Sequence, residues 1–226
     1  MIRMIVLLVC AALLLGQMHP FPGPGRASTS GGGSSATIIE TDTGNYNIGS
    51  TRTWTVAGTT TGDYILVMFA NEEDLALTSV TDTLKNVYTL VQEYTTSDRQ
   101  VYIYYAVAGS TGSNNVTITY ASSTVNYFSC LLVRGAIGID DSDKVEGVGA
   151  NPSVTLTTTL DNVLLAGIYI GSTDPTAQSG FTTLHDSAYN NFSLAEYDVT
   201  NSTGSNPVGV TAGSNQYNRF LGVAVK

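Results

Sequence analysis

The chain is short of charge, and above all of positive charge. Its 226 residues hold 9 Lys and Arg against 18 Asp and Glu, a formal net charge of −9. Charged side chains make up 12% of the sequence, about half of the ~25% usual in a soluble domain. Nucleic acid is bound through its phosphates by clustered Lys and Arg, and the absence of any such cluster argues against a nucleic-acid partner. Histidine and cysteine are scarce too: His19, His185, Cys10 and Cys130 are all there are. Zinc wants three or four such ligands in one place, so a zinc site is not expected. His185 stands beside Asp186 but no G-x-S-x-G elbow accompanies it, so a hydrolytic triad is not indicated and His185 reads as a surface histidine. Helical periodicity is missing after the first 18 residues, and no repeat of fixed period shows.

What is abundant is Thr, Ser, Gly and Asn, together with 42% hydrophobic residues in which 13 Tyr outnumber 6 Phe. High hydrophobicity with low charge argues against disorder. It suits a protein made soluble by hydroxyls and amides rather than by ions.

Three segments follow from composition. Residues 1–18 open with Arg3 and an apolar run from Met4 to Gly16. That run fits the core of a signal peptide or an anchoring segment, and is short of the ~20 residues a membrane helix needs. Cys10 would suit a lipoprotein, except that Val9 stands where a small residue is expected. Residues 19–36, "HPFPGPGRASTSGGGSSA", are a linker, stiffened by proline in its first half and loosened by Gly and Ser in its second. Residues 37–226 are expected to form one all-β domain, an antiparallel sandwich of jelly-roll or Ig-like type. Without the leader Cys130 is the remaining cysteine, and its setting in "YFSCLLV" makes it a buried structural thiol.

The strands are legible as alternation. "TRTWTVA" sets Trp54 and Val56 against threonines, and "NVTITY" sets Val116, Ile118 and Tyr120 against Thr117 and Thr119. "DYILVMFAN" is a continuous apolar run, as in a central strand covered on both faces. "SVTDTLKNVYTLVQEY", residues 79–94, reads as a hairpin, with Asp82 capping the turn and Tyr88 returning the chain to the core.

Several of these residues carry a resemblance. "GDYILVMFA", "SVTDTLKNVYTLV" and "QVYIYYAVAGSTGSNNVTITY" resemble a β-sandwich domain of secreted bacterial and archaeal proteins and of phage structural proteins. Asp63, Asp82, Asn86, Tyr88, Tyr104, Tyr105, Ala106, Asn115, Val116 and Thr117 fall on its pattern. The later "TLTTTLDNVLLAGIYIG" and "SGFTTL" extend it over most of residues 37–226. Two departures stand out. Lys85 replaces a usual glycine before Asn86, so the turn is expected to place its positive-φ residue elsewhere or at Asn86. Arg134-Gly135 replaces a Tyr/Ser-Gly pair. The resemblance implies a sandwich of the kind found in adhesins, surface arrays, appendages and virions, and implies no catalytic residues.

Candidate sites are few. Asp140, Asp141, Asp143 and Glu146 in "GIDDSDKVEG" could offer hard oxygens to Ca²⁺, although the spacing is not that of an EF-hand. Tyr102, Tyr127 and Tyr189 could stack on sugar rings; the competing reading is cross-strand packing. Asn115, Asn191 and Asn201 begin N-glycosylation sequons, which matter in a host that glycosylates and would then face solvent. The expectation is a non-enzymatic, secreted or cell-surface structural or adhesive protein, a subunit of a filament or coat. It would self-associate through its N-terminal arm or its strand edges. The alternatives are a carbohydrate-binding module, with surface glycans as partners, and a phage virion decoration protein.

Overall fold

The computed structural model describes residues 36–147, 150–187, 192–213 and 218–226; the expected leader and all but the last residue of the linker lie outside them. Among the described residues there is no helix. Antiparallel sheets pack face to face, as the alternating sequence predicts.

The core of the first half is built on β2 (Tyr64–Asn71), buried along its whole length. It pairs with β5 (Gln100–Val107) on one side and with β6 (Gly112–Arg134) on the other. β4 (Thr89–Thr95) closes the β5 edge. β1 (Thr37–Thr59) runs antiparallel to β6, and both strands are 23 residues long. Their register slips by three residues between Gly49–Thr124 and Thr51–Thr119, a corner of the kind that lets one strand pass from one layer to the next. Beyond it, the second half of β1 and the first half of β6 are joined by β3 (Leu77–Asp82) as a smaller layer. Trp54, Val56, Val116 and Ile118 from this layer pack on Ile65, Val67, Phe69 and Cys130. The stretch 79–94 is therefore not a hairpin: β3 pairs with β6 and β4 with β5. Its turn joins two layers instead of two neighbouring strands.

The second half repeats this arrangement. β9 (Leu164–Gly171) is fully buried and lies between β12 (Phe192–Asp198) and β14 (Asn218–Val225). β11 (Thr182–Ser187) closes the β12 edge and β7 (Ile139–Gly147) the β14 edge. The order β11-β12-β9-β14-β7 matches β4-β5-β2-β6-β1. A small layer of β8 (Ser153–Thr158), β13 (Gly204–Thr211) and β10 (Thr176–Ala177) matches that of β1, β6 and β3.

The match holds at the level of register. β4 bulges against β5 between Leu90 and Gln92, and β11 bulges against β12 between Thr183 and His185. β1 bulges between Ile38 and Glu40, and β7 at the corresponding Ile139 and Asp141. At these bulges Glu40 accepts the Ala57 N–H at 3.1 Å and Asp141 the Thr157 N–H at 2.7 Å. Thr59 faces Gly112 and Thr158 faces Gly204 in the ladders; both threonines are buried and both glycines have positive φ, 153° and 117°. Phe128 and Phe220 correspond, as do Asn126 and Asn218, and all four are buried. The chain is thus a tandem of two units of one topology. The offset between matched residues drifts from 100 at Tyr64 and Leu164 to 92 at Gly112 and Gly204, which is why no fixed period shows in the sequence.

The two five-stranded layers pack against each other, Leu66, Met68, Ile103 and Leu131 meeting Ala166, Ile168, Leu221 and Val223. β2 faces β9, β1 faces β11 and β4 faces β7. This is the contact pattern of a two-fold axis through β2 and β9, an isologous dimer interface built inside one chain.

Candidate functional site

The turn after β3 is organised by Asp82. Its Oδ1 accepts the Asn86 N–H at 2.9 Å; its Oδ2 accepts Asn86 Nδ2 at 2.7 Å, Tyr88 OH at 2.9 Å and Asn114 Nδ2 at 2.9 Å. Partial burial raises the Asp82 pKa, but these hydrogen bonds outweigh it and hold the carboxyl below its ordinary value. The positive-φ residue is Lys85 itself, at 60°, not Asn86 or another position. Asn86 Oδ1 accepts the Gly109 N–H at 2.9 Å, tying this turn to the one after β5. Between them lies a groove lined by Lys85, Asn86, Val87, Thr89, Tyr105 and Val107. Val87 is 83% and Val107 45% exposed. Tyr105, half-buried, stacks on Tyr64 with ring centroids 5.7 Å apart and planes within 8°. The matched turn of the second half, between β10 and β11, is shorter by two residues.

Arg134 reaches back to Asp63. Its Nε and one terminal nitrogen meet the two carboxylate oxygens at 2.9 and 2.8 Å. The same carboxylate accepts the Thr60 N–H at 2.8 Å, so the fork pins the entry of β2 to the exit of β6.

The four acidic residues proposed for Ca²⁺ do not converge. Asp140 accepts the Thr159 N–H at 2.6 Å and Lys226 Nζ at 2.9 Å, and Asp141 is spent on Thr157. Asp143 accepts the Lys144 N–H at 2.8 Å, and Glu146 pairs with Arg219 at 2.8 Å. Among the described residues no three metal-ligating side chains group together. Strand alternation and the bulge at Asp140 send neighbouring carboxylates to separate partners. Two of them anchor the outer rim of β8 to β7.

Of the tyrosines considered for sugar stacking, the two within the described residues follow the packing reading instead. Tyr102 and Tyr127 are buried core residues, 5% and 0% exposed, so neither can offer a ring face to a ligand. Tyr102 OH donates to Gln100 Oε1 at 2.8 Å and Tyr127 OH to Glu72. Tyr189 lies outside the described residues. Of the sequons, Asn115 is exposed on β6 and Asn191 lies outside the described residues. Asn201 is half-buried, and its Nδ2 donates to the Val163 carbonyl at 2.5 Å; that nitrogen does not face solvent as the sequon reading expects.

His185 is not a surface residue. It is 3% exposed, in the interface between the two five-stranded layers. Its Nδ1 lies 2.6 Å from Ser129 Oγ and its Nε2 2.9 Å from Ser193 Oγ. Ser193 Oγ donates to the Tyr169 carbonyl at 2.8 Å, so it must accept from Nε2–H, leaving Nδ1 to accept from Ser129. The network assigns a neutral imidazole with its proton on Nε2. Burial pushes its pKa down to about 4. Glu196 is buried under the small layer of the second half, where burial pushes its pKa up to about 8 against the N–H groups of Gln178 and Gly209. Cys130 is a buried free thiol, as expected, with its pKa raised by burial.

Glu196 shares the alternation of Leu194, so its burial was legible in "FSLAEYDV"; the burial of His185 was not, because the bulge at Thr183 shifts the phase of its strand. Compared with known protein families, curated proteins and solved structures, the chain gives no significant match.

Proposed function

We propose that the chain is a non-enzymatic structural or adhesive subunit of an extracellular surface assembly. The supporting observation is the outer edge of β1, the first strand after the N-terminal segment. β1 pairs with β6 alone among the described residues, and it carries two exposed isoleucines, Ile39 at 39% and Ile48 at 58%. An exposed strand edge with apolar side chains is a template for a further strand. A secreted chain with such an edge is built to join neighbours. The test is mild extraction of the producing cell's surface followed by sizing. The 23.8 kDa chain is expected in particles many times its own mass. Recovery as a free monomer that cleaves a substrate would overturn the reading.

A second reading, a carbohydrate-binding module, is favoured by the groove beside Asp82. There the half-exposed Tyr105 ring, held by Tyr64, stands among the polar groups of Lys85, Asn86 and Thr89. A glycan array with the wild type and Tyr105→Ala tests it: binding that the substitution abolishes supports this reading, and silence removes it.

A further inference from the structure

The pseudo-two-fold that exchanges the halves also exchanges the two long sides of the molecule. On one side β7 faces β4; on the other β1 faces β11. Matched positions can therefore be compared side against side.

The β4/β7 side is closed by charge. Lys144 on β7 donates from Nζ to the Glu93 carbonyl of β4 at 2.9 Å, and it lies 6.0 Å from the Tyr94 ring. A lysine seated on an edge carbonyl occupies the acceptor that an incoming strand would use. Arg219 covers the same ring at 4.7 Å. Asp140, at the β7 bulge, is held by Thr159 and Lys226. On the β1/β11 side the ladder registers set Thr43 where β7 has Lys144, Asp186 where β4 has Glu93, and Ile39 where β7 has Asp140. Threonine has no cationic head to seat on a neighbouring carbonyl, and Ile39 is exposed. Among the described residues β11 pairs with β12 alone and β1 with β6 alone.

We propose that the β1/β11 side is a self-association surface on which a second copy of this chain adds its own β1 and β11 about a two-fold axis normal to the sheets. The sealed β4/β7 side then limits sheet-edge pairing to two copies, making the dimer the unit from which the larger assembly is built. This rests on the structural reading above and names its contact. A second copy fits because the open side is two layers deep: a copy presents the same pair of edges and continues both five-stranded sheets at once. A single added strand, such as an N-terminal arm, would cover one layer and leave the other open.

The experiment is sedimentation velocity on the full mature chain up to ~100 µM, where mass action favours association. A dimer is expected. Thr43→Lys transplants the seal and should weaken dimerisation about tenfold or more. Ile39→Asp should do the same, and circular dichroism checks that both variants fold. Lys144→Ala opens the second side and should produce species larger than the dimer. A monomeric wild type, or variants that all dimerise like the wild type, would overturn the proposal. If the isolated chain stays monomeric yet is recovered from its native surface in large particles, this edge assignment fails and the structural reading stands. If it dimerises as described but is recovered from that surface only as the dimer, the surface-assembly reading fails and the edge assignment stands.

Discussion

His185 and Glu196 make opposite demands on pH, and their balance can be worked out. The folded protein keeps His185 neutral to about pH 4, whereas an unfolded imidazole takes up its proton near 6.5. Unfolding therefore binds a proton in that window, and stability falls as pH drops from 6.5 to 4. At 1.36 kcal/mol per pH unit the full loss is about 3 kcal/mol. Glu196 behaves in the reverse sense. Folded, it keeps its proton to about pH 8, whereas an unfolded glutamic acid loses it near 4.3. Its contribution is complete below the unfolded pKa and is lost as pH rises to 8, about 5 kcal/mol in all. Between about pH 4.5 and 6.5 the two slopes cancel. The wild type should therefore show a plateau there and lose about 2 kcal/mol between pH 6.5 and 8. Glu196→Gln keeps an amide that can accept from Gln178 and removes the titration. Its stability should rise by about 3 kcal/mol from pH 4 to 6.5 and then stay level. His185→Gln installs the residue that the first half carries at the matched position, Gln92. It should abolish the plateau and leave the Glu196 loss alone, a continuous fall of about 5 kcal/mol from about pH 4.3 to 8. Urea unfolding followed by the fluorescence of Trp54, the single tryptophan and a buried one, gives each free energy. A wild-type profile that slopes across the plateau, or a Glu196→Gln profile that keeps the alkaline loss, would refute the reasoning.

Other consequences are simpler to measure. Asp82→Ala removes the acceptor of four hydrogen bonds at one turn and should cost about 2–4 kcal/mol in urea unfolding; Asp82→Asn should lose about half as much. A Cβ at Gly167 would sit 2.2 Å from Phe220 Cζ, so Gly167→Ala should destabilise by about 1–3 kcal/mol, with Phe220→Leu restoring part of it in the double variant. Because Asp140, Asp141, Asp143 and Glu146 are each held by protein donors, millimolar Ca²⁺ or a chelator should leave the thermal midpoint unmoved; a clear rise with Ca²⁺ would reveal a site that these contacts conceal.

The fold class was legible because alternation survives in nearly every strand: Trp54 and Val56, Val116 to Tyr120, and the unbroken run of β2 all face the cores their spacing implies. The layer order was not. Residues 79–94 have hairpin chemistry, yet Asp82 turns the chain between layers, a distinction set by which distant strand each arm pairs with. The duplication was hidden by loops of unequal length and by poor identity outside "STGSN", which recurs at 110–114 and 202–206. What persists between the halves is geometry: two edge bulges, a glycine of positive φ opposite a buried threonine, and a carboxylate on a backbone N–H. Side-chain roles near bulges were the hardest to anticipate, since one extra residue reverses inside and outside. His185 went inward for that reason. For Tyr102 and Tyr127, burial on the two faces of a central layer decides between sugar stacking and packing.

The two halves behave as one body joined through β2 and β9. Hydrogen exchange of the intact chain tests this most directly. The amides of Tyr64–Asn71 and Leu164–Gly171 should be the slowest in the protein and exchange with one common free energy, that of global unfolding. Exchange of one strand with a free energy well below that of the other would show halves that open independently, and would contradict the shared core.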